Sequence, residues 1–182
     1  MWISCVNSYG DKDAVCDGQT YTYSQIDKEV RAMRAYLHSA GIKAGDNVGM
    51  FIPNGISFVI TFLAITTLGG VAVLLPPHLD EQTLCGCTHK FSLKYLVYSC
   101  LLEQKTQFTA QRNPAVKLLQ DGLRSEEDIP AVDVDGQSPC AVLFTGGTTG
   151  RSKGALLSHK GLCSALKTVV TALRKYLIKD TF

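Results

Sequence analysis

Between Leu143 and Gly154 the chain reads LFTGGTTGRSKG. Gly146, Gly147 and Gly150 open backbone angles that other residues avoid, and they let N–H groups come close to a ligand. Successive N–H groups in such a turn form a hollow for an anion. Thr145, Thr148 and Thr149 add hydroxyl donors, and Lys153 adds a point charge suited to phosphate. Together these residues describe a cradle for a polyphosphate, with the loop spanning 143–154. It differs from the common phosphate loop G-x-x-x-x-G-K-[ST], because Lys153 follows Ser152 and is itself followed by Gly154. A plain glycine-rich hairpin between two strands is the competing reading. The packing of threonines, Arg151 and Lys153 between two apolar runs favours the cradle.

A second cluster, Cys85-Gly86-Cys87-Thr88-His89 with His78 upstream, holds soft ligands that zinc could take. Its spacing fits no paired zinc pattern, which leaves two to four residues between cysteines. Ordinary cysteines on a helix are the expectation. The seven cysteines are odd in number and irregular in spacing, which argues against a disulfide framework and for a reducing cytoplasm.

The elements that must position the loop follow from periodicity. Ala141 to Phe144 and Ala155 to Leu157 read as strands on either side of it. His159 to about Tyr176 reads as a helix, with Leu162, Leu166, Val169 or Val170 and Leu173 on one side. His159 is expected to cap that helix or to pack. Upstream, Tyr21 to Gly41 is a helix with Ser24 as its cap and Ile26, Val30, Met33 and Leu37 on one face. Strands are expected at Val48 to Ile52, Val71 to Leu75, Tyr95 to Tyr98 and Val116 to Leu119. Helices are expected at Ile56 to Leu68 and Asp80 to Lys90. The acidic stretch from Gln120 to Pro139 reads as a solvated surface connection. Strands alternating with helices call for an α/β fold with a mainly parallel sheet covered on both faces.

Composition sets the outer bounds. Hydrophobic residues make up 46% and charged residues 19% of 182, which is globular rather than disordered. Net charge is +2, so there is no general electrostatic case for nucleic acid. The N-terminal stretch lacks the basic and apolar regions of a secretory signal. The run from Ile56 to Leu75 is apolar and long enough to raise a transmembrane helix. Pro53-Asn54-Gly55 and Gly69-Gly70 interrupt it, so strand, helix, strand in a buried core is preferred.

The segment LFTGGTTGRSKGALLSH resembles the AMP-binding signature of the adenylate-forming enzymes, a superfamily of acyl-CoA synthetases, luciferases and adenylation domains of peptide synthetases. The match runs through Phe144, Thr145, Gly146, Gly147, Thr148, Thr149, Gly150, Lys153, Gly154, Ser158 and His159. Looser, collinear similarity covers Tyr21 to Pro77 and Cys140 to the end, whereas Gln82 to Pro139 agrees only in rhythm. The resemblance implies that residues 1–182 are a partial N-terminal AMP-binding domain: mainly parallel sheets covered by helices, incomplete, with the family's C-terminal parts absent.

It also implies the chemistry. A carboxylic acid attacks the α-phosphate of ATP to give an acyl-adenylate and pyrophosphate, and a thiol such as coenzyme A then takes the acyl group. The loop would grip the β- and γ-phosphates. That assigns nucleotide binding to Thr145, Gly146, Gly147, Thr148, Thr149, Gly150 and Lys153, with no catalytic or metal-binding residue within the chain. Magnesium would be held by residues beyond Phe182. The Gly146-Gly147 pair looks most like long-chain fatty acyl-CoA synthetases. The expected partners are therefore ATP, a carboxylic acid, coenzyme A and the remainder of a longer enzyme, in the cytoplasm, with peripheral membrane association left open and no transmembrane span. Two alternatives stand beside this: a truncated, non-catalytic nucleotide-binding or interaction fragment, and an amino-acid or aryl-acid adenylation domain.

Overall fold

Ile26, Val30, Met33 and Leu37 recur at helical spacing, and all four are buried on one face of a helix. The computed structural model describes residues 2–145 and 153–179. Its N-terminal part comprises α1 (Trp2–Tyr9), a hairpin of β1 (Asp13–Asp17) and β2 (Gln19–Thr22), and the long α2 (Tyr23–Ser39). There follow β3 (Asn47–Phe51), α3 (Ile56–Thr67), β4 (Val71–Leu74), α4 (Glu81–Lys90) and β5 (Tyr95–Tyr98). Next are α5 (Glu103–Arg112), β6 (Lys117–Gln120), β7 (Pro139–Thr145), β8 (Lys153–Ser158) and α6 (His159–Lys179).

The cap of α2 is Thr22, not Ser24. Thr22 is extended, and its Oγ1 accepts from the Gln25 N–H at 3.3 Å while Gln25 Oε1 accepts from the Thr22 N–H at 2.8 Å. This reciprocal pair satisfies two donors that the helix leaves open. Ser24 already lies inside the first turn, its N–H donating to Gly10 O. At the other end Gly41 takes φ +101°, the left-handed conformation that closes helices.

Six strands form one sheet in the order β6-β5-β3-β4-β7-β8. The first five are parallel, and β8 runs antiparallel to β7 at the edge. Alternation along β3 sends Val48 and Met50 into one apolar cluster with α2 and α3, and Phe51 into a second cluster with α4. Gly49 is bare for a packing reason: a Cβ there would meet Leu93 and Leu96 Cδ1 at 2.8 Å. The sheet is thus covered on both faces, as alternation of strands and helices requires. The apolar run from Ile56 resolves into α3 and β4 inside this core. No helix among the described residues is long and apolar enough to cross a membrane.

Three findings depart from expectation. The segments α1, the β1–β2 hairpin and α5 had no strong periodic signal. The polar stretch after β6 is not simply a solvated connection. Asp121 is buried, the Ser125 N–H donates to Ala32 O, the Val132 N–H donates to Thr67 O, and the Arg34 guanidinium reaches Ile129 O at 2.8 Å. The chain there straps across α2 and α3. Finally, the apolar side of α6 is bare: Leu166 is 44% and Leu173 54% exposed, and Leu156 on β8 is 62% exposed.

Candidate functional site

After β3 the chain turns to the face covered by α3, whereas after β4 it turns to the face covered by α4. Adjacent parallel strands whose connections leave to opposite faces open a crevice at their C-terminal ends, the place where open α/β sheets bind ligands. A cavity of about 360 Å³ lies there. Ile52, Asn54, Phe58, Pro76, His78 and Phe144 line it, and Leu143 of β7 completes the wall beside its partner Leu74. The lining is mostly apolar, with the Asn54 amide and the His78 imidazole as its polar groups.

Helix N-termini near the strand tips would be the usual anion donors. Both are already taken. Asp17, reaching over from the β1–β2 hairpin, accepts from the Ile56 N–H at 2.8 Å and so caps α3. Asp80 caps α4, accepting from the Thr83 N–H and the Thr83 hydroxyl at 2.8 Å each. Those two hydrogen bonds hold the Asp80 carboxyl below its ordinary range. A phosphate at either helix would meet a carboxylate in place of free N–H groups.

The remaining candidate is the turn between β7 and β8. These strands pair antiparallel through Leu143↔Ala155, Phe144↔Gly154 and Thr145↔Lys153. Two of the residues singled out from sequence, Thr145 and Lys153, are therefore opposite one another at the root of the turn. Gly146, Gly147, Thr148, Thr149 and Gly150 lie outside the described residues. The antiparallel pairing of β7 with β8 is the hairpin that the competing reading expected on either side of this segment.

Behind the hairpin, Ser158 rather than His159 caps α6: its Oγ accepts from the Gly161 N–H at 3.1 Å. The His159 backbone N–H donates to Ser138 O. The His159 Nε2 atom is buried with no hydrogen-bond partner among the described residues, and burial pushes the imidazole pKa down. Cys85, Cys87 and His89 sit on α4, as expected of helix cysteines. Cys87 packs in the second apolar cluster, where burial raises its thiol pKa. Among the described residues no group of three or more His, Cys, Asp or Glu side chains is placed to hold a metal ion.

Sequence reasoning missed Asn54, His78 and Asp17 as neighbours of the site. Asn54 and His78 could have been found, since they lie three and four residues past the ends of the parallel strands β3 and β4. Asp17 could not, because its role depends on a hairpin folding across thirty-nine residues of sequence onto α3.

Comparison with known proteins shows the family. The AMP-binding enzyme family matches residues 4–181. A 4-coumarate–CoA ligase of Petroselinum crispum is 25% identical over 177 residues, covering 88% of this chain and 32% of that protein. A linear gramicidin synthase of Brevibacillus parabrevis is 32% identical over 160 residues, covering 85% of this chain and 2% of that protein. Among solved structures, ATP-bound MatB of Rhodopseudomonas palustris superposes with a TM-score of 0.72 at 25% identity, covering 84% of this chain and 32% of that one. The chain thus spans about a third of the length of the CoA ligase it matches.

Proposed function

This chain belongs to the AMP-binding enzyme family, and from that premise we propose that it supplies the polyphosphate-gripping part of a longer enzyme that activates a carboxylic acid with ATP. The supporting observation is the β7–β8 hairpin, which pairs Thr145 with Lys153 beside the crevice at the strand tips. In this reading Thr145, Gly146, Gly147, Thr148, Thr149, Gly150 and Lys153 bind the β- and γ-phosphates. A carboxylate oxygen of the acid attacks the α-phosphorus, the bond to the bridging oxygen of the β-phosphate breaks, and pyrophosphate leaves with the electron pair. Donors fixed on the leaving phosphates neutralise the charge that develops there, and holding both reactants removes the entropy of their encounter. Magnesium, where it accompanies the nucleotide, adds charge neutralisation, and the described residues offer it no acidic cluster.

The acyl-adenylate would then pass to a thiol, with coenzyme A the first choice because a CoA ligase is among the relatives. A fatty acid is the acid proposed, on the Gly146-Gly147 pair. An amino acid is the second reading, favoured by the 32% identity with the linear gramicidin synthase. The bare apolar side of α6 supports the remainder of the enzyme packing against this chain. The cytoplasm is the setting proposed. Lys153→Ala tests the phosphate role. Losing a charge-assisted hydrogen bond of about 1.5–3 kcal/mol should slow acid-dependent exchange of pyrophosphate into ATP about ten- to a hundredfold. Full exchange activity in that variant would remove Lys153 from the site.

A further inference from the structure

The hairpin that carries the loop loses its support from the sheet before it reaches the loop. β4 pairs with β7 only as far as Leu74↔Leu143, and β8 has β7 as its one neighbour in the sheet order. From Phe144 onward the two arms therefore have, among the described residues, only each other in the ladder, through Phe144↔Gly154 and Thr145↔Lys153. A two-stranded ribbon of this kind is marginal in water and twists freely.

One side chain from elsewhere meets both arms. The Phe91 ring stands edge-on to the Phe144 ring, with centroids 5.2 Å apart and planes at 78°, an arrangement that aromatic pairs favour. The same ring lies close to the bare backbone of Gly154: a Cβ there would sit 2.9 Å from Val142 Cγ1, 3.1 Å from Phe91 Cε1 and 3.2 Å from Phe91 Cζ. Gly154 thus leaves room for both the Val142 side chain and the ring. Phe91 itself is well anchored. It closes α4, its N–H donates to Cys87 O at 3.0 Å, and its carbonyl accepts from Asn47 Nδ2 at 3.0 Å on the central strand β3. The turn that follows is fixed by Ser92 in a left-handed conformation at φ +49° and by the Leu93 N–H donating to Thr88 O.

The geometry points to Phe91 as a positioning residue for the phosphate loop: it clamps Phe144 and Gly154, the residues flanking the Thr145↔Lys153 pair, and so fixes where that pair stands. This rests on the polyphosphate reading of the loop, and it adds a determinant from α4 in the part of the chain that matches the family signature least. In this assignment Phe91 acts through the two residues it contacts.

The test uses Phe91→Leu, which keeps an apolar filler, and Phe91→Tyr, which keeps the ring. Two readouts are taken: KM values in acid-dependent ATP–pyrophosphate exchange, and amide hydrogen exchange at Phe144, Gly154 and Ala155. Phe91→Leu is expected to raise KM for ATP on the order of tenfold or more, since small misplacements remote from the chemistry have effects of that size. KM for the acid should be unchanged, the hairpin amides should exchange faster, and Phe91→Tyr should behave as the parent. An unchanged KM for ATP, or equal rises for ATP and acid, would overturn the assignment. Both readouts are taken on the longer enzyme of which this chain is proposed to be a part: absence of acid-dependent exchange by that unaltered enzyme would fail the polyphosphate reading, and unchanged hairpin amides in Phe91→Leu would sink the clamp on its own.

Discussion

Replacing Arg34 by methionine should unfasten the strap that runs from β6 to β7. Arg34 is 5% exposed on the inner side of α2. Its Nε donates to Ile129 O at 2.8 Å, and its Nη1 donates to Thr67 Oγ1 at 3.3 Å. Beside that contact the Val132 N–H donates to Thr67 O at 2.8 Å, so strap, α2 and α3 meet at one point. A hydrogen bond from a charged donor contributes about 1.5–3 kcal/mol, and the longer one falls at the low end or below. Against this stands the cost of burying the guanidinium, which lowers the Arg34 pKa and which methionine would not incur. The difference leaves a net loss of about 1–2 kcal/mol. With a urea dependence of about 2 kcal/mol per molar, the unfolding midpoint should fall by roughly 0.5–1 M. The local effect should be sharper. Loss of that much closing free energy speeds exchange of the Val132 amide about tenfold, while amides in β3 follow only the global change. An unchanged midpoint together with an unchanged Val132 amide would refute the strap as a structural element.

Other outcomes follow from the same contacts. Thr22→Ala should lower stability by about 1 kcal/mol through loss of the capping box, and Ser24→Ala by clearly less; urea titration of both variants decides which residue caps α2. Asp121 is raised above its ordinary range chiefly by burial, against a hydrogen bond from Ser57 and the nearby Arg124. A carboxyl whose folded pKa exceeds its unfolded value contributes stability below the unfolded pKa and loses it as pH rises through the folded one. Asp121→Asn should therefore stabilise the chain at pH 7, with the advantage gone below about pH 4, and a destabilised variant at pH 7 would contradict the assignment. Burial pushes the Cys140 thiol up to about 11. Since the thiolate is the reactive form, iodoacetamide at pH 8 should label the exposed Cys16 and Cys100 well before Cys140, which mass spectrometry reads directly.

Much of the sheet was legible because its strands are short apolar runs, several of them bounded by glycine or proline. Tyr95–Tyr98 matches its expected range, and Asn47–Phe51, Val71–Leu74 and Lys117–Gln120 fall within a residue of theirs. The helix faces of α2 read correctly for the same reason. What failed was structure held by long-range contacts. The strap carries acidic residues and no periodicity, and its burial comes from hydrogen bonds to Ala32, Arg34 and Thr67, all distant in sequence. The helix α5 has few apolar residues, so its pattern gave no amphipathic signal, although Thr106 and Thr109 are buried. In α6 the periodicity was read correctly, yet the face formed by Leu166, Val169, Val170 and Leu173 stands exposed, because amphipathicity reports that a face wants a partner and not which one. At the site, residue type pointed to Thr145 and Lys153. Their pairing across a hairpin, and the role of Phe91 beneath it, needed the three-dimensional contacts.

The most direct test of acid activation is exchange of labelled pyrophosphate into ATP by the longer enzyme of which this chain is proposed to be a part, measured with no acid and then with a panel of fatty, aryl and amino acids. Exchange that appears only with one class of acid is the predicted result, with fatty acids expected to give the highest rate. Exchange without any acid, or none with every acid tried, would contradict the proposal that this hairpin grips ATP for attack by a carboxylate.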